Sequence, residues 1–188
     1  MGLALMAYFY CDFRDPKKQE APGLMSSLIA QLAAKSDTCY NILYALYLDC
    51  DGGSRQPGDH MLLDCLEKML KTEGVPTIYI IIDGLDECSN VSGVVPPRER
   101  VLQLVEKLVN SHLANLRICT TSRPEADIQA SLAPLVSHTV FLHDQDGQKK
   151  DIDDYVRFVV NSDRQMRRWR AEDKEMVINS LSQRGDGM

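Results

Sequence analysis

The sequence has 188 residues, of which 44% are hydrophobic and 26% charged, and its net charge is −6. That length suits one domain with a sizeable core, or one domain and a small appendage. The acidic balance excludes a general nucleic-acid binder, whose phosphate affinity needs a basic surface, but leaves room for a local nucleotide site. Six cysteines (Cys11, Cys39, Cys50, Cys65, Cys88, Cys119) show neither a C-x-x-C pair nor zinc spacing, and the four histidines are scattered. The chain therefore reads as cytoplasmic and reduced, without a Cys/His metal cluster. Cys11, Cys88 and Cys119 fall in or beside apolar runs, where a thiol acts as a small hydrophobe. The apolar N-terminal run has no basic flank and no small-residue cleavage site, and no run reaches the ~18 apolar residues that cross a bilayer, so no membrane partner is expected.

In chain order, residues 6–13 form an aromatic-rich apolar run that predicts a strand. Leu24, Leu28 and Leu32 recur at helical spacing over 22–34, and a second short helix is predicted over 40–48. "DCDGGSRQPGD" reads as a loop. Leu62, Leu66, Met69 and Leu70 then lay a stripe on a helix over 59–71. "TIYIII", residues 77–82, has no polar alternation and predicts a fully buried strand. Pro96-Pro97 suit a helix entry, and Val101, Val105, Leu108 and His112, with Leu104, mark one face of that helix. A strand over 116–121 is stopped by Pro124; a short helix over 126–132, a fourth strand over 136–142 and two amphipathic helices complete the chain. Alternating strands and helices, with two strands apolar on both faces, predict a mainly parallel sheet covered by helices on each side.

The strand over 77–82 ends in three carboxylates, Asp83, Asp86 and Glu87, within five positions. In an open parallel sheet the ligand sits beyond the carboxyl ends of the strands. A carboxylate at Asp83 can hold a magnesium ion through water, and that ion neutralises nucleotide phosphates. Gly84 lets the backbone approach such a group, and Asp86 or Glu87 can orient or deprotonate an attacking water. A shared cation would make three close carboxylates tolerable; the bland alternative is that acids after a strand cap the next turn. "LRICTTSRPE" is a second buried strand ending in small hydroxyls and Arg123, whose guanidinium could sense a phosphate or simply pair with a surface acid.

These segments resemble the NACHT domains of STAND-class P-loop NTPases, in particular the nephrocystin-like NACHT modules of large fungal proteins. "IYIIIDGLDEC" resembles the family's Walker B segment, "RICTTSRPEADI" its sensor strand, "HDQDGQKKDIDDYV" the passage into the following helix, and "AYFYCDFRD" the strand after the P-loop helix. The resemblance implies a three-layer P-loop NTPase-like α/β fold with a parallel sheet. It gives a partial NTPase core over 1–147 and a helical segment over 148–188. It further implies Asp83 as the magnesium residue, Asp86 and Glu87 as hydrolytic acids, and Arg123, with Gly84, at the nucleotide. The cofactors would be Mg²⁺ with ATP or GTP, in a module that switches conformation in the intact family and associates with protein partners or itself.

The sequence departs from the family in one large respect: it holds no G-x-x-x-x-G-K-[ST], the loop that cradles the phosphates. The first strand and P-loop are therefore expected to be missing, leaving the strand over 136–142 short of a partner. No appreciable ATP hydrolysis by these residues alone is expected. A non-catalytic association module or relic is the alternative function. A metal-dependent phosphohydrolase using the three acids directly is a third, which leaves "TSRP" unexplained.

Overall fold

A computed structural model describes residues 4–72, 74, 76–91, 94–141 and 146–184. The chain divides into two compact units, Met1–Val136 and Ser137–Met188. The first holds β1 (Ala4–Tyr10), α1 (Ala21–Ala33), α2 (Asp37–Asp49), α3 (Asp59–Lys71), β2 (Thr77–Asp83), α4 (Pro97–Asn110), β3 (Leu116–Thr120) and α5 (Ala126–Leu132). The three strands form one parallel sheet in the order β1-β2-β3. The α/β class and the parallel sheet are those predicted.

Register follows from which side chains must leave water. Leu5, Ala7 and Phe9 of β1 stand opposite Ile78, Ile80 and Ile82 of β2. Ile78 and Ile80 in turn stand opposite Leu116 and Ile118 of β3. A one-residue slip would turn this whole row away from the core. Leu24, Leu28 and Leu32 of α1, Leu66 and Met69 of α3, and Val101, Val105 and Leu108 of α4 join the row in one hydrophobic cluster. Burying each leucine contributes roughly 1.5–3 kcal/mol before entropy is charged against it.

The other face of the sheet is uncovered by the described elements of this unit. Met6, Tyr8, Tyr10, Tyr79, Arg117 and Cys119 are exposed there. The expected layer on each side is thus a single layer among the described elements of this unit. Both crossovers step the same way along the sheet, and right-handed connections then put their helices on one face. Cys119, expected as a buried hydrophobe, points out on the uncovered face.

The two sheet edges differ. On the outer side of β1, Gln31 accepts from Tyr8 N–H (3.1 Å) and donates to Tyr8 O (2.7 Å), and Lys35 Nζ donates to Met6 O (2.5 Å). Side chains of α1 and the residues after it thus occupy backbone groups that a foreign strand would use. On β3 the inward-facing groups pair with β2, through contacts such as Ile78 N–H to Asn115 O (2.8 Å) and Thr121 N–H to Ile82 O (3.0 Å). No described strand lies along its outer side.

Two further sequence expectations are corrected. The segment expected as a fourth strand carries no strand over its described residues, 136–141; Leu142 lies outside them. A strand exists only when paired, and no described strand pairs with this segment. The stripe of α4 stops at Leu108, because the helix ends at Asn110 and His112 turns left-handed (φ 49°) and is exposed. Gly23 has a packing reason: a Cβ there would lie 2.0 Å from Lys17 O.

The second unit holds α6 (Asp146–Ser162) and α7 (Ala171–Arg184), with a 3₁₀ turn at Met166–Arg168. Val160 and Ile178 are buried. Arg157 bridges Asp153 (2.7 Å) and Glu175 (3.1 Å), and Ser182 Oγ donates to Asp153 (2.9 Å). Among the described residues no helix is long and apolar enough to cross a membrane.

Candidate functional site

The carboxyl ends of β1, β2 and β3 meet in a short network of backbone bonds that runs past the strands themselves. Cys11 N–H donates to Asp83 O (2.9 Å), and Leu85 N–H donates to Thr121 O (3.0 Å). Between them the chain must reverse sharply, and Gly84 does so at φ 71°, ψ 47°, a left-handed conformation that an L side chain resists. A 3₁₀ turn, Leu85–Glu87, follows, with Leu85 fully buried as its anchor. Asp86 and Glu87 are thereby presented on a fixed turn.

Each carboxylate has its own neighbour. Thr121 Oγ1 donates to Asp83 Oδ1 (2.5 Å) and accepts from Gly84 N–H (3.0 Å), tying the end of β3 to the end of β2. Asp86 accepts from Arg123 N–H (3.0 Å) and pairs with its guanidinium (3.5 Å), which is otherwise largely in water. Glu87 Oε2 accepts from Phe13 N–H (3.3 Å). Among the described residues no three His, Cys, Asp or Glu side chains converge as a metal cage. Within the chain, a hydroxyl, a guanidinium and a backbone amide each sit against one of the three carboxylates.

Arg98, buried at 6% exposure, holds the turn from below. Its guanidinium donates to Asp86 O (2.6 Å) and Cys88 O (2.9 Å) and pairs with Asp127 (3.1 Å). Gln19 braces the opposite wall, accepting from Ser89 N–H (3.2 Å) and donating to Phe13 O (3.0 Å). These groups border a cleft of about 480 Å³ whose walls include Phe13, Asp86, Glu87, Cys88, Arg98 and Arg123. Just outside the turn, hydrogen bonds from Arg14 lower the Asp12 carboxyl to about 2.

All five residues singled out in the sequence lie at this end of the sheet. Asp86, Glu87 and Arg123 line the cleft together; Asp83 and Gly84 sit beside it against Thr121. Two residues carry more of the geometry than the sequence revealed. Thr121 is one of three hydroxyls in "TTSRP" with nothing to distinguish them. Arg98 had a usable signal: it precedes Val101, Val105 and Leu108 on the buried stripe of α4, where a charge needs a partner.

An all-protein cage for a metal is absent among the described residues, yet the donor set suits a hydrated hard cation. Magnesium keeps most of its waters and takes one or two oxygen ligands from protein. Asp83, with the Thr121 hydroxyl alongside, supplies donors of that kind. The family model described as "Nephrocystin 3, N-terminal" matches residues 3–123, from the start of β1 to the arginine after β3. No curated protein and no solved structure matches the chain. With well over half of its residues covered by that match, the chain belongs to the nephrocystin-3 N-terminal family.

Proposed function

We propose that this chain is part of a NACHT-type, nucleotide-dependent signalling module acting in the cytoplasm, and that it supplies the metal and water side of the nucleotide site. The observation that carries the reading is the joint between β2 and β3, where Thr121 Oγ1 holds Asp83 while Arg123 holds Asp86. Two neighbouring parallel strands thus deliver an acid and a guanidinium to one crevice, where such sheets bind ligands. In this reading Asp83 holds Mg²⁺ through water, and Thr121 fixes which Asp83 oxygen is left to face it. Asp86 and Glu87 orient a water at the terminal phosphate of ATP or GTP, and Arg123 exchanges its Asp86 partner for phosphate. Gly84 keeps the approach free of a side chain. Bound magnesium would neutralise phosphate charge there. The phosphate cradle is not encoded in these 188 residues, so affinity for nucleotide by this chain is low.

Counting bound Mn²⁺ by electron paramagnetic resonance tests the metal assignment. One weak site is expected, lost in Asp83→Asn and weakened in Thr121→Val. Binding that survives both substitutions would remove Asp83 from the metal.

A second reading, protein association without catalysis, is favoured by the sheet face on which Met6, Tyr8, Tyr10 and Tyr79 are exposed and by the outer edge of β3, along which no described strand lies. Tyrosine and methionine are enriched at protein interfaces. Sedimentation velocity decides it: concentration-dependent association, reduced by Tyr8→Glu, supports the reading, and a monomer throughout removes it.

A further inference from the structure

We propose that the outer face of α2 docks a basic helix of a partner protein, whose arginine or lysine side chains lie over a stack of three tyrosines. The inference stands apart from the nucleotide reading, whose cleft walls include no residue of α2. Helix α2 is apolar on two sides. On its inner side Cys39 is fully buried, and Ile42, Leu43 and Leu46 pack against the core, which fixes the helix in place. Its outer side carries Tyr40, Tyr44, Tyr47 and Leu48, between 47% and 55% exposed. A surface helix ordinarily turns polar residues to water there, and large apolar side chains gathered in one exposed patch mark an interaction surface.

The three rings form a ladder. The centroids of Tyr40 and Tyr44 lie 6.4 Å apart with their planes 11° from parallel, and those of Tyr44 and Tyr47 lie 6.1 Å apart at 23°. The turn after the helix holds the last rung. Gly53 sits there at φ 84°, and a Cβ on it would lie 2.9 Å from Tyr47 Cε2. The spacing of the rungs is close to the advance of about 6 Å between positions i and i+4 of an α-helix. A second helix laid along α2 can therefore set one side chain against each ring.

Charge selects the partner. Helix α2 contains Asp37 and Asp49 and no Lys, Arg or His. Asp37 lies three residues before Tyr40, on the same side of the helix, and is exposed. Arg55, the one basic residue between α2 and α3, is occupied by Asp49 O (2.6 Å) and the Asp51 carboxylate (3.9 Å). Aromatic faces carry negative charge density and attract a guanidinium or ammonium, and the neighbouring carboxylates add to that attraction. A second copy of the chain fits the face poorly. Pairing α2 with itself would bring like charges together, and three half-exposed rings offer on the order of 300–400 Å², below the roughly 800 Å² per partner of a stable interface. The ladder is two helical turns long, the size of one helix face.

The probe is a fluorescein-labelled, alanine-based helical peptide with arginines at i, i+4 and i+7, titrated with the 188-residue chain and followed by anisotropy; its control carries glutamates at those positions. Saturable binding of the arginine peptide is expected, with none of the glutamate peptide. Affinity should fall about two- to fivefold in Tyr44→Ala, the worth of one exposed cation–π contact, and stay near wild type in Tyr44→Phe, which keeps the ring. Absence of binding, or equal affinity of wild type and Tyr44→Ala, would overturn the proposal, as would self-association of the chain that Tyr44→Ala abolishes. Should Tyr44→Ala lose its helical circular dichroism, amide NMR of the wild type decides. Peptide-induced shifts centred on residues 40–48 support the assignment, and shifts centred elsewhere overturn it.

Discussion

Replacing Arg98 by methionine keeps the length and much of the apolar stem of the side chain and removes its charge. Two carbonyls, Asp86 O and Cys88 O, then lose donors at 2.6 and 2.9 Å. A hydrogen bond to a charged group contributes about 1.5–3 kcal/mol when no water replaces it. The adjoining cleft admits water, which places each loss at the low end, about 1–1.5 kcal/mol. The ion pair with Asp127 adds less than about 1 kcal/mol, because that carboxylate is 45% exposed and regains its hydration. The sum is about 3 kcal/mol. With a urea dependence of about 2 kcal/mol per molar, the unfolding midpoint of Arg98→Met should fall by about 1.5 M. Asp127→Ala should shift it by less than about 0.5 M on the same scale. A shift below about 0.5 M in Arg98→Met, or equal shifts in the two variants, would refute the assignment of Arg98 to the backbone of the acid turn.

The packing and the charges give further expectations. Gly23→Ala forces a Cβ against a backbone carbonyl that cannot rotate away, and should destabilise by about 2 kcal/mol or more, read as a lower urea midpoint. Ile80→Ala empties the middle of the central strand, where Ile80 is fully buried, and should cost about 2–5 kcal/mol in the same assay. Asp12 should titrate at about 2 by carboxyl NMR. Since its folded value lies below the unfolded one, its stabilising contribution is present above the ordinary carboxylate range and is lost as pH falls toward 2. Arg14→Ala should return the midpoint toward the ordinary range and remove that acid-side loss.

The helices and sheet were legible because their apolar residues repeat at the spacing of the element that buries them. Leu24, Leu28 and Leu32 announce α1, and "TIYIII" announces β2. What the period could not show was coverage of the sheet. "ALMAYFY" is apolar at every position, so only the structure shows that Leu5, Ala7 and Phe9 turn inward while Met6, Tyr8 and Tyr10 stay exposed. The strand expected over 136–142 is absent from its described residues, 136–141, for a related reason: a β-prone string becomes a strand only when a partner strand pairs with it, and partners are set by distant residues. The candidate site followed the same division. Asp83, Gly84, Asp86 and Glu87 fall within five positions and announce a turn, whereas Thr121 and Arg98 reach it from 37 and 12 residues away. Local sequence carries no sign of those pairings, apart from the charge on the α4 stripe.

The central claim, that Asp83 and its turn form the metal side of a nucleotide site, is tested most directly by paramagnetic broadening of amide NMR signals on adding Mn²⁺. Broadening centred on Gly84, Leu85 and Thr121, and abolished in Asp83→Asn, is the expected result. Broadening centred on another acidic cluster, such as Asp153 and Glu175, with the acid turn unaffected, would contradict it.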